Sequence, residues 1–171
     1  MENIKSRRSI RKYRPDMLPR EVIETIAEAG SYAASGMNRQ SPIIVAVTNR
    51  QVRDRLAEAN CKIGGWKEGF DPFYGAPVIL IVLADKSVGT ALYDGSLVMG
   101  NLMLAAHDLG IGSCWIHRAQ ETFELPEWKE WLHSIGVEGD YEGIGHVALG
   151  YVEGDYPSPL PRKTGRIFFA D

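Results

Sequence analysis

The chain has 171 residues, a formal net charge of −3, and 44% hydrophobic against 24% charged residues. That length suits one domain with a sizeable core, residues 1–171, and not two comfortable ones. A mildly acidic balance argues against wholesale nucleic-acid binding, and with no uncharged apolar run of 18 residues no membrane span is expected.

In chain order, Met1 to Lys12 is polar and basic with no apolar h-region, so no signal peptide is expected. A short helix is predicted over Glu2–Ser6. Next comes Arg7-Arg8-Ser9-Ile10-Arg11, three guanidiniums and a hydroxyl within five residues. Arg presents a planar fork of donors that matches phosphate oxygens. On a helix Arg7 and Arg11 share a face, and Arg8 and Arg11 also neighbour each other. Such a set can hold a phosphate monoester. It can equally be a solvated basic terminus, or part of a nucleic-acid patch running from Lys5 to Arg14.

Pro15 marks an exit turn, because it disfavours helix at the residue before it. Val22, Ile23, Ile26, Ala27 and Gly30 repeat at helical spacing, so an amphipathic helix is predicted over 19–33. The loop Ala34 to Pro42 is dense in small and amide residues. Its Gly allows close backbone approach, and Asn and Gln suit a heterocycle edge that alternates donors and acceptors. A plain surface turn fits it as well.

Ile43 to Val47 and Val78 to Leu83 read as buried strands, the second covered on both faces. Between them a helix is predicted over Gln51 to Asn60, then an irregular aromatic segment over 61–76. Residues 91–109 form the most apolar helix. Its apolar residues nearly encircle the axis, which predicts burial all round, in the core or against a second subunit. Ser113 to Ile116 is a short strand ending at His117-Arg118. One or two short helices follow over Glu121 to Leu132, broken near Pro126. Ile144 to Tyr151 is the last strand, and His146 within it reads as a satisfied structural histidine. The tail Tyr156 to Lys163 is held extended by its prolines and ends in two cations.

No Gly-x-Gly-x-x-Gly follows a strand, and no P-loop or Gly-x-Ser-x-Gly elbow is present. The four histidines and the two cysteines, Cys61 and Cys114, lack metal-like spacing, and nothing suggests a disulfide framework. A reducing cytosol is the simplest home. Cys114 falls in a predicted buried strand, where a thiol is usually inert. Cationic anion contacts without an evident nucleophile, metal or general base are consistent with chemistry carried by a cofactor.

Taken together and in order, these parts resemble the nitroreductase family of flavin enzymes. Arg7 to Tyr13 resembles its opening signature, and Ser35 to Gln40 its Ser-rich Asn-x-Gln loop. Phe73 to Pro77 entering a strand, Gly110-Ile111-Gly112 after a helix, and Leu149-Gly150-Tyr151 before Pro161-Arg162-Lys163 also match. The resemblance implies an α+β fold with a central, mainly antiparallel sheet flanked by helices, an intertwined homodimer, and FMN at the subunit interfaces. By position, Arg7, Ser9, Arg162 and Lys163 would hold the ribityl phosphate. Arg8 and Arg11 would lie along the ribityl chain or near the pyrimidine edge. Ser35, Gly36, Met37 and Asn38 would reach the ring from the partner subunit. Ile116 and His117 would bring backbone near the reactive N5 edge. Ser41-Pro42 stands where many members have Pro-Trp, and Asn60 is a loose candidate for an asparagine found after the second long helix.

The implied activity is a two-step exchange. NADH or NADPH gives a hydride to the flavin, and a nitroaromatic, quinone or flavin acceptor then takes the electrons. No residue of the chain is expected to be catalytic in its own right. The expected partners are a second copy and a small acceptor, with no nucleic acid or membrane, in the cytoplasm. A flavin-binding protein that does no reduction, and a nucleic-acid module, are the other classes left open.

Overall fold

Strand β2, Val78–Asp85, is the element around which the others pack. Residues 78–84 are fully covered, and side chains alternate across a strand. Ile79, Ile81 and Leu83 therefore enter one core with Leu56, Phe73, Phe123 and Trp128. Val78, Leu80, Val82 and Ala84 enter a second core with Ile23, Ile26, Met99 and Leu102. The computed structural model describes residues 1–170.

The sheet has four strands in the order β1-β2-β4-β3, every pair antiparallel. β1 is Pro42–Val47, β3 is Gly112–Ile116 and β4 is Tyr141–Gly150. Helices α2 (Arg20–Ser31) and α4 (Ala91–Asp108) cover one face. Helices α3 (Arg50–Gly64), α5 (Ala119–Glu124) and α6 (Pro126–Ser134) cover the other. This is the α+β arrangement expected. The β2–β4 register slips between Val82 and Leu83. Gly143 faces the slip, where a Cβ would collide with the Ala119 carbonyl, so glycine lets α5 close against the sheet.

The predicted elements are present, with shifted ends. Pro19 caps α2 from outside instead of starting it. α3 runs one turn past Asn60 and stops at Gly65, whose φ of 66° suits a helix C-terminus. The aromatic segment therefore begins later than expected. Pro126 occupies the first turn of α6, where its missing N–H costs nothing.

Within one chain α4 is covered on part of its surface only: Leu92, Tyr93 and Leu97 are 56%, 70% and 51% exposed, which leaves that face for the second subunit that the sequence allows. Helix α1 spans Glu2–Ser6 as expected and stops before the arginines, so helical spacing does not govern them.

Candidate functional site

Beyond α1 the chain is extended. Ser9 bridges Ser113 in parallel, and the Ile10 N–H donates to the Ser113 carbonyl at 2.9 Å, laying the N-terminal segment along edge strand β3. Extended backbone puts residues i, i+2 and i+4 on one side. Arg7, Ser9 and Arg11 thus share a face, while Ile10 is 2% exposed and enters the core. All three act electrostatically on Cys114. Burial pushes its thiol up, and the Arg11 charge, the Ser9 hydroxyl and the Arg7 charge pull it back. The thiol stays protonated and inert, as expected of a buried strand cysteine.

Arg8 lies on the other side. Its Nη1 donates to the Lys5 and Arg7 carbonyls at 2.7 and 2.6 Å, so it caps the end of α1. Its expected pairing with Arg11 is therefore corrected: helical spacing suggested it, and the extended backbone separates them. Arg7 Nη1 is buried and has no partner among the described residues. Arg11 stacks over Tyr74, 5.9 Å from the ring centroid. A half-buried guanidinium with one buried, unpartnered donor beside an exposed guanidinium is suited to an anion.

The tail reaches the same neighbourhood. The Arg8 N–H donates to Tyr156 Oη at 2.9 Å, and Tyr156 Oη lies 3.0 Å from His107 Nδ1. His107 Nε2 lies 2.8 Å from Ser6 Oγ, which donates to the Glu2 carbonyl. The donor order is self-consistent for a neutral His107 protonated at Nε2. This chain of bonds clasps the start of the arm to α1 and α4. Arg162 then lines one cavity of about 760 Å³ with Lys5 and Arg8. Lys163 lies in the exposed arm, with no ion pair among the described residues.

The loop Ser35 to Asn38 sits elsewhere. Gly36–Asn38 forms a 3-10 turn against the start of α4, where the Gly36 N–H donates to Asp94 Oδ1 at 3.0 Å. A Cβ on Gly36 would stand 2.5 Å from Thr90 Oγ1, so glycine permits that approach. Met37 and Asn38 adopt φ of 52° and 55°. The loop feeds β1, the sheet edge opposite β3, three strand spacings of about 4.8 Å away. One chain does not bring it to the arginines.

At the far end of β3, Ile116 points into the core and His117 is exposed. Arg118 holds φ 78°, a left-handed conformation uncommon for a side chain of its size. Asn60 explains part of this, and sequence reasoning left its role open. It is fully buried and turned inward, with Nδ2 donating to the His117 carbonyl at 2.9 Å. The same nitrogen stands 3.4 Å from His146 Nδ1. Burial lowers His146 to about 4, so the ring is neutral near neutrality. His146 is buried as expected but not fully satisfied, since its Nε2 has no partner among the described residues.

A family model described as the nitroreductase family matches residues 4–63 and 65–151. A protein of Methanothermobacter thermautotrophicus named as an NADH dehydrogenase/NAD(P)H nitroreductase is 34% identical over 140 residues, 74% of this chain and 70% of that one. A nitroreductase with bound FMN from Bacteroides fragilis superposes with a TM-score of 0.87 at 33% identity, covering 99% of this chain and 97% of that one. A second, also with bound FMN, from Desulfitobacterium hafniense gives 0.86 at 27% identity over 99% and 97%.

Proposed function

Since the chain belongs to the nitroreductase family, we propose that it is an FMN-dependent oxidoreductase working as a homodimer. FMN, when bound, supplies the chemistry: it takes a hydride from NADH or NADPH and passes the electrons to an oxidised nitroaromatic, quinone or flavin, in alternating half-reactions that share one pocket. The protein's part is binding, orientation and charge stabilisation.

The observation that carries this reading is the face shared by Arg7, Ser9 and Arg11, with the buried and unpartnered Arg7 Nη1. These residues fit a phosphate dianion, which would give the orphan donor an acceptor. Within one chain Arg162 lines a cavity with Arg8, on the other side of the segment from this face, so Arg162 and Lys163 are assigned to the phosphate only by their match to the family pattern. Arg11 would place positive charge where negative charge develops on reduction. Arg8 serves mainly to fix the end of α1. Ile116 and His117 would present backbone to the ring.

A second copy completes the site in this reading. Ser35, Gly36, Met37 and Asn38 stand at the wrong sheet edge to serve their own chain's arginines. The exposed Leu92, Tyr93 and Leu97 of α4, and Leu160, Ile167, Phe168 and Phe169 of the arm, give a partner an apolar surface to cover.

The test is a visible spectrum of the purified protein before and after FMN addition, followed by NADH and NADPH oxidation with a quinone. Flavin bands and acceptor-dependent oxidation are expected. A protein that stays colourless with FMN overturns the reading. A yellow protein that oxidises neither nicotinamide is a flavin carrier and not a reductase.

A further inference from the structure

The peptide between His117 and Arg118 is held more firmly than a surface turn requires. Its carbonyl accepts from buried Asn60 Nδ2 at 2.9 Å. One residue on, the Arg118 carbonyl accepts from the Thr122 N–H at 3.0 Å and from the Thr122 hydroxyl at 2.7 Å. Thr122 is fully buried. Arg118 Nη1 is tied to Glu121 at 2.8 Å. Behind Asn60 lies His146, boxed by the rings of Phe73 and Phe123 at 5.4 and 6.2 Å. A neutral His146 offers Nδ1 as an acceptor for the second amide hydrogen, which stops the Asn60 amide from turning over.

These restraints maintain a left-handed backbone conformation, φ 78°, that is unfavourable for a non-glycine residue. Such strain persists only where the surroundings over-determine it. In a trans peptide the N–H points opposite to the C=O. No cis bond is present among the described residues. Because Asn60 draws the His117 carbonyl into the core, the Arg118 N–H is aimed outward from the end of β3. It has no acceptor among the described residues, although the carbonyls on both sides of it are bound.

We infer that Asn60 is a positioning residue for electron transfer, acting through the His117 carbonyl to present the Arg118 N–H as a fixed donor to the reacting edge of the bound ring. The inference rests on the FMN reading above. Asn60 does not touch the ring in this account. It sets the orientation of the peptide that does, and Thr122 fixes the far side.

The experiment follows the Arg118 amide resonance of ¹⁵N-labelled protein during FMN titration, in wild type, Asn60→Leu and Thr122→Val. A downfield shift of the Arg118 amide is expected in wild type. Asn60→Leu should lose at least half of that shift while FMN affinity changes less than about fivefold, since the cations that hold the phosphate are untouched. The rate of flavin reduction by nicotinamide should fall about tenfold. Thr122→Val should weaken the shift less, and Thr122→Ser, which keeps the hydroxyl, should restore it. If Asn60→Leu does not fold, Asn60→Ser decides, because its hydroxyl is too short to reach the carbonyl. A wild-type protein that takes up no FMN overturns both the reading and the inference. One that binds FMN with the Arg118 amide unmoved, or variants with a wild-type shift, overturn the inference alone.

Discussion

Arg53 holds Asp71 from inside the protein. The Arg53 side chain is 4% exposed, and its guanidinium bonds the Asp71 carboxylate and the Ala76 carbonyl. The same carboxylate accepts from the Phe73 and Gly75 N–H groups at 2.9 and 2.8 Å. One ion pair thus folds the turn that carries Tyr74, on which Arg11 stacks.

Asp71→Ala should therefore destabilise the fold by about 3 kcal/mol, because it leaves the buried guanidinium only Asp54 and the Ala76 carbonyl, and strips the Phe73 and Gly75 N–H groups of their acceptor. Arg53→Met should cost less, since it removes the buried charge with its partner's need for it. Thermal unfolding of the two variants checks the order. Equal losses would mean that the buried charge is not the cause.

Arg7→Ala and Arg11→Ala together should weaken FMN binding by a hundredfold or more, at about 1.5–3 kcal/mol for each charge-assisted bond lost. Arg8→Ala should weaken it less, because Arg8 Nη1 is tied to the Lys5 and Arg7 carbonyls and its side chain lies away from the face shared by Arg7, Ser9 and Arg11, although its buried Nε has no partner among the described residues. Titration followed by flavin fluorescence separates them. An Arg8→Ala loss as large as the double variant's would reverse the assignment.

His146 should make stability depend on pH. In the unfolded chain it takes up a proton through its ordinary value of 6.5, while in the fold burial delays this to about 4. The unfolded state binds more protons in that window, so stability is complete above pH 6.5 and falls as pH drops toward 4. The full change is about 3 kcal/mol. Melting curves between pH 7 and 4.5 should show the slope in wild type and lose most of it in His146→Gln.

Arg118→Gly should stabilise the protein by roughly 0.5–1 kcal/mol, because glycine enters the left-handed region without a Cβ penalty. The loss of a half-exposed ion pair to Glu121 offsets only a few tenths. A lower melting temperature would show that the strain at φ 78° is not felt.

Leu97→Glu places a charge on the exposed face of α4. Sedimentation should show wild type at twice the 19.0 kDa chain mass and the variant at that mass. A variant that still sediments with wild type would remove this face from the dimer surface.

Much of the fold was legible because local pattern and burial agree. β2 is apolar at every position from 78 to 84 and is covered on both faces. Pro126 begins α6 where its backbone limits suit a first turn. The arginine cluster was legible as chemistry but not as geometry. Helical and extended spacing both unite Arg7 with Arg11, and only the Ser9–Ser113 bridge decides that Arg8 is excluded. Asn60 stood out in the sequence only as a loose match and Thr122 not at all, since each bonds a backbone carbonyl, 57 and 4 residues away, that no side-chain pattern announces.

If a second copy completes the site as proposed, the position of the Gly36 turn on one rim of the sheet and of the arginines on the other has a genetic corollary. Suppose one copy carries Arg7→Ala with Arg11→Ala, and the other carries a damaged 35–38 turn. Each mutant pool alone is inactive at both centres. A heterodimer of the two gathers both lesions into a single centre and leaves its sister intact. Mixing two dead preparations under subunit exchange should bring back a fraction of the turnover, up to half of it within each mixed pair.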